Sequence, residues 1–121
     1  MQTIIDKMKE ETVYFDDRVV IYYIGTNALD NFAVIDMGDP DDYWFHAKDV
    51  SSCHVVAKIG EDMDKRTLKS ILKRGALICK QNTNKLKSLD KLEFIYTKVK
   101  NVVKTETPGL VTVTKQKTIV L

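Results

Sequence analysis

One long amphipathic helix stands between two groups of short strand-like segments, and this arrangement most constrains the fold. Over about residues 65–80, apolar side chains recur at helical spacing, while lysines and arginines occupy much of the remainder. Runs rich in β-branched and aromatic residues lie on both sides of this segment. Strands, one main helix and strands again predict an α+β fold, with short additional helices and an antiparallel or mixed sheet packed against the main helix.

Turn and capping residues divide the first part of the chain. Asp16 and Asp17 predict the turn of a hairpin between strands at 12–15 and 18–24. Asn27 predicts the N-cap of a short helix that ends at residue 31 or 35, because its side chain can accept a bond from an early helical N–H.

The beginning of the chain predicts a helical extension. Ile4, Ile5 and Met8 have helical spacing, so we expect a helix within residues 1–10, ahead of a single core domain over residues 11–121. Beyond the hairpin, the sequence predicts strands at 43–47, 53–59, 92–103, 111–113 and 118–121, with turns at 38–40 and 108–109.

Composition excludes several classes of protein. The 121-residue chain is 44% hydrophobic, so it can bury one core without disulfides or metals. No apolar run approaches the ~20 residues of a membrane-spanning helix, and no signal peptide is visible. Cys53 and Cys79 lie far apart in sequence and outside any CxxC pair, which predicts two reduced thiols. We therefore expect a cytoplasmic protein without a cofactor or a membrane partner.

Charge is unevenly distributed along the chain. Residues 1–62 hold 5 basic and 13 acidic side chains, and residues 63–121 hold 14 basic and 4 acidic ones, which together give the net charge of +2. This polarity predicts a surface of two signs with an anion-binding basic face. The acidic group is either a solvated loop or a surface for a basic protein, and its spacing matches no recognised metal loop: Asp36, Asp39, Asp41 and Asp42.

Functional groups are densest over residues 41–56, which hold both histidines and the single tryptophan. In an extended strand Asp42, Trp44 and His46 point to one face, and an ordinary core would not combine these groups. Two interpretations stay open: a structural histidine bonded to backbone or carboxylate, or a nucleic-acid contact by an aromatic ring. A metal site has less support, because the spacing of the histidines is not diagnostic. Catalysis by Cys53 also has less support, because Cys53 and His54 are sequence neighbours and would point to opposite faces of one strand.

These residues resemble the signature of the NFACT-R domain, the RNA-binding module of the NEMF, RqcH and fibronectin-binding-protein family. The family pattern reads D-x-W-F-H, a charged connection and then G-S-H-V, against Asp42 to His46 and His54-Val55-Val56 here. Ordered matches elsewhere extend the resemblance over about residues 11–121: Gly25, Asn27, Asn31, Tyr96-Thr97, Lys100, Lys104, Pro108-Gly109-Leu110-Val111 and Lys117-Thr118. The chain departs from the pattern at Thr26, Ser52, Cys53 and Asn82.

The resemblance implies a free-standing, non-catalytic RNA-binding module. Its expected partner is transfer RNA or ribosomal RNA, in translation or ribosome-associated quality control, with the ribosome or another protein as a possible further partner. General binding or sensing of DNA is the alternative, because phosphate contacts carry no sequence information. An enzyme that acts on RNA through Asp42, His46 and His54 is a lesser alternative. The oligomeric state is left open.

The hypothesis assigns three groups of residues. Phosphate contacts are predicted for Lys73, Arg74, Lys98, Lys100 and Lys104, which would form a basic face on the main helix and the long strand. Base contacts or orientation are predicted for Trp44, His46, Lys48 and His54, and motif-structural roles for Gly25, Asn27, Asn31, Asp42, Pro108 and Gly109. With unshifted pKa values, the histidines would gain charge near pH 6.5, which predicts tighter binding at lower pH.

Overall fold

A central antiparallel sheet with two covering layers organises the part of the chain that the computed structural model describes, residues 8–16, 18–60 and 62–121. The α-helices are α1 (Ala28–Asp36) and α2 (Lys65–Gln81), and the strands are β1 (Lys9–Phe15), β2 (Arg18–Gly25), β3 (Tyr43–Ala47), β4 (His54–Lys58), β5 (Glu93–Lys98), β6 (Val102–Lys104), β7 (Val111–Val113) and β8 (Lys117–Val120).

Six of these strands form the sheet, in the order β1-β2-β4-β3-β5-β8, and every neighbouring pair is antiparallel. Strands β6 and β7 form a separate two-stranded ribbon. The α+β fold class that the sequence predicts is therefore confirmed.

Alternating side chains build a core on each face of the sheet. Phe45 and Val55 belong to the larger core, which α2 covers, while Trp44 and Val56 belong to the smaller core beneath α1 and the β6–β7 ribbon. This is the period of two expected when both faces of a strand are buried. The two cores place the basic helix and the β3 tryptophan on opposite sides of the sheet.

Both helices begin at the residues that the sequence predicts. The Asn27 side chain accepts a hydrogen bond from the Asp30 N–H at 2.9 Å, and Asp64 accepts one from the Thr67 N–H at 2.7 Å. Each cap satisfies an amide that the first helical turn would otherwise leave unpaired.

The continuous strand predicted at 92–103 is wrong. Strand β5 ends at Lys98, a 3₁₀ turn spans Val99–Asn101, and β6 then leaves the sheet. The reason is pairing with a loop that is distant in sequence, because the N–H of Val99 donates to the Asp42 carbonyl at 2.8 Å and that of Lys100 to the Pro40 carbonyl at 3.1 Å. The backbone is thus bound to the loop before β3 instead of to a neighbouring strand.

The N-terminal helix predicted within residues 1–10 falls mainly outside the described residues. Its last part is wrong, because Lys9 and Glu10 already belong to β1 and pair with β2. Two other strands differ from the prediction by one residue at each end, β4 and β8. Within the described ranges, neither α1 nor α2 is long and apolar enough to cross a membrane.

Candidate nucleic-acid interface

An open basin of about 1350 Å³ lies on the face of the sheet that carries α1. Its floor consists of sheet residues, Trp44, His46, His54 and Ile95. Its walls come from four connecting segments, within residues 26–31, 49–53, 81–87 and 108–113, and Lys9 of β1 also lines it. We call this concavity the basin.

Trp44 forms the buried base of the floor. Its side chain is 1% exposed, and its indole Nε1–H donates to Nδ1 of His54 at 3.1 Å. Because an indole nitrogen can only donate, Nδ1 of His54 must accept, and the proton of the neutral imidazole sits on Nε2. Trp44 therefore has no ring face open for stacking on a base, and its position suits the orienting role that was predicted as the alternative to a base contact.

His46 has the opposite tautomer. Its ring stacks on Trp44, with centroids 5.7 Å apart and an interplanar angle of 11°, and its Nδ1 lies 2.6 Å from the Ala47 carbonyl oxygen. A carbonyl oxygen only accepts, so Nδ1 of His46 carries the proton and Nε2 keeps a free lone pair. The imidazoles of His46 and His54 lie 4.9 Å apart at 87°.

Both histidines are neutral at physiological pH. Burial lowers the pKa of His54 to about 3, and the neighbouring His46 lowers it further. Burial also lowers the pKa of His46. The hydrogen bond to the Ala47 carbonyl partly offsets this effect of burial, and the positive charge of Lys85 adds to it. The predicted gain of charge near pH 6.5 is therefore wrong, because desolvation disfavours the charged imidazole.

Asp42 does not join these side chains, contrary to the prediction that it shares their face. Its carboxylate accepts the N–H groups of Asp39 at 2.7 Å and Ile59 at 2.8 Å, and it pairs with Lys58 at 2.8 Å. It thereby fixes the loop that leads into β3. Among the described residues, no carboxylate bonds either histidine, and no cluster of His, Cys, Asp and Glu could hold a metal.

The glycines and asparagines of the sequence motif hold α1 against the basin. A Cβ at Gly25 would lie 2.8 Å from the backbone nitrogen of Asn31. The side-chain oxygen of Asn31 accepts the backbone N–H of His54 at 3.2 Å. Gly109 has φ +83 and packs so closely that a Cβ would meet Cα of Ala28 at 3.1 Å. Glycine is therefore needed at both close approaches, and Pro108 lines the same wall.

The strand lysines predicted as phosphate contacts lie elsewhere. Lys98 and Lys100 pair with Asp41 at 3.4 and 3.2 Å, and Lys104 of β6 pairs with Asp36 at 2.6 Å. Lys98 and Lys100 line a separate groove beside Tyr43 and Tyr96. The prediction that these lysines share one strand face is wrong, because the chain changes direction between them.

The remaining predicted basic contacts are also outside the basin. Lys73 and Arg74 lie on α2, on the opposite side of the sheet, where Arg74 is 3.6 Å from Glu11. Lys48 pairs with Glu93 at 3.0 Å, and this pair raises the pKa of Lys48. The structure therefore brings together only the aromatic members of the predicted contact set, Trp44, His46 and His54.

Comparison with known proteins now decides the family. Residues 11–114 match the family model of the NFACT protein RNA binding domain. This chain belongs to that family. It is an RNA-binding domain by this membership, and the resemblance predicted from the D-x-W-F-H and His-Val elements is confirmed.

Two known proteins show the extent of the similarity. The NFACT RNA-binding domain described here is 30% identical over 90 residues to a coiled-coil domain-containing protein 25 homolog of Dictyostelium discoideum, covering 74% of this chain and 44% of that protein. It is 25% identical, with a TM-score of 0.78, to the C-terminal part of the fibronectin/fibrinogen-binding protein from Streptococcus suis, covering 93% of this chain and 44% of that chain. The chain thus spans less than half the length of either.

Sequence analysis missed the lysines that line the basin of this NFACT RNA-binding domain. They are Lys9, Lys85 and Lys87, all exposed. Asp49 is the acidic side chain among the described basin residues, so the lining carries a net positive charge. One available signal was the run of amides and lysines at the last residue of α2 and directly after it: Gln81, Asn82, Asn84, Lys85 and Lys87.

Ser52 and Cys53, which stand where the family pattern has glycine and serine, contribute to packing. Ser52 Oγ accepts the Ala47 N–H at 3.0 Å and donates to the Cys53 carbonyl at 2.9 Å. Behind it, the sulfurs of Cys53 and Cys79 lie 3.7 Å apart, and each thiol bonds the other's carbonyl at 3.3 Å. The hydrogen bond to Cys53 and burial raise the pKa of Cys79 well above its usual value. The two thiols therefore pack the basin wall.

Proposed function

We propose that this NFACT RNA-binding domain binds its RNA in the basin, and that the RNA is a transfer RNA or a ribosomal RNA. The observation that carries this proposal is the convergence of the two motif histidines and three exposed lysines on one concavity. Its volume of about 1350 Å³ exceeds the roughly 300–1,000 Å³ of a small-molecule site, which suits a segment of a polymer.

The lining supplies the contacts that RNA needs. Lys9, Lys85 and Lys87 can neutralise phosphates, which contributes affinity without sequence preference. Amide side chains after α2 can bond unpaired base edges, and exposed Val50 and Leu110 offer apolar contact from two of the wall segments. The enclosing walls favour single-stranded loops or ends over a regular duplex.

The proposed role is binding without catalysis, in translation or ribosome-associated quality control. The histidines are neutral and committed to structural bonds at Nδ1, and the Asp42 carboxylate is bound elsewhere. Neither histidine is therefore oriented by a carboxylate, as the general base of a catalytic His–Asp pair would be. A role at the ribosome would place the protein in the cytoplasm, as the sequence also predicts.

The test measures the affinity of the whole chain for transfer RNA, a ribosomal-type RNA hairpin and duplex DNA over a series of salt concentrations. Lys85→Glu/Lys87→Glu should weaken RNA binding roughly 10-fold or more and reduce the magnitude of the log–log salt slope by about 2, since two phosphate contacts are lost.

Lys69→Glu/Lys73→Glu is the matched control, because it makes the same change in net charge on the exposed surface of α2. It should have a much smaller effect. Equal losses in both variants would show that only overall charge matters, and absence of RNA binding would contradict the proposal. Equal affinity for RNA and duplex DNA would favour the alternative of general nucleic-acid binding.

A further inference from the structure

The two histidines present opposite hydrogen-bonding groups to the basin. The Trp44 indole fixes His54 as the Nε2–H tautomer, and the Ala47 carbonyl fixes His46 with its proton on Nδ1. His54 therefore has a free donor at Nε2, and His46 has a free acceptor at Nε2. Neither assignment depends on a bound ligand, because both partners belong to the folded chain.

Each Nε2 atom retains some solvent exposure, although His54 as a whole is only 2% exposed. Among the described residues, neither has a hydrogen-bond partner, and no buried side-chain nitrogen or oxygen lacks one. An unpartnered Nε2 must therefore be accessible, and both side chains line the basin. The floor thus carries one donor and one acceptor whose rings lie 4.9 Å apart.

We propose that His46 and His54 together bind a ribose 2′-hydroxyl, and so give this domain a preference for RNA over DNA. This inference rests on the proposed function. A hydroxyl both donates and accepts through one oxygen, so it can bond Nε2 of His46 and Nε2–H of His54 at once. The 2′-hydroxyl is also the group by which proteins distinguish RNA from DNA.

Other parts of a nucleic acid fit this pair less well. A phosphate oxygen only accepts, so it would leave the lone pair of His46 unpaired. A base edge is flat, and with the rings at 87° it can lie in the plane of only one imidazole. The neutrality of both rings further favours a neutral ligand group, while the rim lysines serve the phosphates.

The first arm of the test changes the ligand. The probes are one RNA hairpin, the same hairpin with 2′-deoxy nucleotides in the loop, and a third with 2′-fluoro nucleotides there. The unmodified hairpin should bind roughly 3- to 10-fold more tightly than either modified one, which corresponds to one or two net hydrogen bonds. The 2′-fluoro probe keeps the sugar pucker of RNA and so separates pucker from the hydroxyl.

The second arm changes the protein with the conservative variants His46→Asn and His54→Asn. Asparagine can replace Nδ1 in its internal bond but does not reach the position of Nε2. Each variant should lower the ratio of the affinity for the RNA hairpin to the affinity for the deoxy hairpin toward 1. Thermal unfolding of each variant tests whether it is folded.

Three outcomes would count against the proposal in different ways. If the wild-type protein binds the three hairpins with equal affinity, it does not recognise the 2′-hydroxyl. If the histidine variants weaken all probes equally, the pair contacts a group common to RNA and DNA. If no hairpin binds at all, the proposed function itself fails. The modified hairpins decide the first point even if an asparagine variant fails to fold.

Discussion

His54 is the residue on which most contacts of the basin floor depend. It accepts from the Trp44 indole, its backbone N–H bonds Asn31, and its ring meets that of His46 edge-on. The two ring contacts suit a neutral imidazole, and protonation at Nδ1 would put two donors against each other at the Trp44 indole. Burial and this bond act in the same direction, against the charged form.

This environment predicts that stability falls as the solution becomes acidic. Above pH 6.5 His54 is neutral in both the folded and the unfolded chain, so it adds no pH dependence. Between 6.5 and its folded pKa of about 3, the unfolded chain binds a proton that the folded chain does not. The free energy of unfolding should therefore fall with decreasing pH, by up to about 1.4 kcal/mol per pH unit for one such group.

Urea denaturation at several pH values between 7.5 and 5 measures this slope. His54→Asn is the comparison, because it removes the titrating group while it retains an acceptor for Trp44. The variant should show a clearly shallower slope, with His46 contributing what remains. Identical slopes for wild type and variant would mean that His54 does not titrate with a lowered pKa.

At the scale of elements, the packing of α2 on the sheet depends on Gly75. A Cβ at this position would lie 2.3 Å from Cζ of Phe45, a fully buried ring of β3. The glycine therefore sets the distance between the main helix and the strand that carries the basin floor on its other face. A neighbour this rigid cannot move aside without disturbing the core.

Gly75→Ala should destabilise the protein, although the same change in an exposed helix would stabilise it by about 1 kcal/mol. Overpacking costs typically about 1–3 kcal/mol, so the clash outweighs the gain in helix propensity. Chemical denaturation gives the difference. Ser70→Ala, on the exposed part of α2, is the control and should be neutral or slightly stabilising. A Gly75→Ala variant at least as stable as wild type would contradict this packing.

Elements with local signals were predictable from sequence, and elements set by distant contacts were not. The Asn27 cap located the start of α1, the helical periodicity located α2, and β3 and β7 have their predicted bounds. The end of β5 could not be foreseen, because the apolar, β-branched sequence continues through Val99 and Val102 while the backbone bonds a loop far away in sequence. Periodicity does not record such pairing.

The same limit applied to the candidate site. The motif around Trp44 and His46 correctly located the region, since its composition did not suit an ordinary core. Burial of Trp44 and the lowered pKa values were beyond sequence reasoning, because they depend on α1 and the β6–β7 ribbon closing over the sheet. Two of the lysines that line the basin, Lys85 and Lys87, come from the segment after α2, and Lys9 comes from β1, so their convergence depends on tertiary packing.

At the scale of the whole molecule, the acidic and basic parts of the sequence partly neutralise each other. Asp36 and Asp41 pair with Lys104, Lys98 and Lys100, and Asp39 pairs with Lys58. The hydrogen bonds and charges of Lys100 and Lys98 hold the pKa of Asp41 below its usual value. These ion pairs reduce the charge of four lysines, whereas no acidic partner neutralises Lys85 and Lys87 at the basin within the described residues.

The most direct test of the basin as the RNA site is a ¹H–¹⁵N correlation spectrum during titration with an RNA hairpin. The chain has one tryptophan, so its indole resonance reports on the basin floor alone. We predict shifts at the Trp44 indole, at His54 and over residues 81–87, with little change at Lys98 and Lys100. Shifts confined to the Lys98–Lys100 groove, with the indole and residues 81–87 unmoved, would contradict the account.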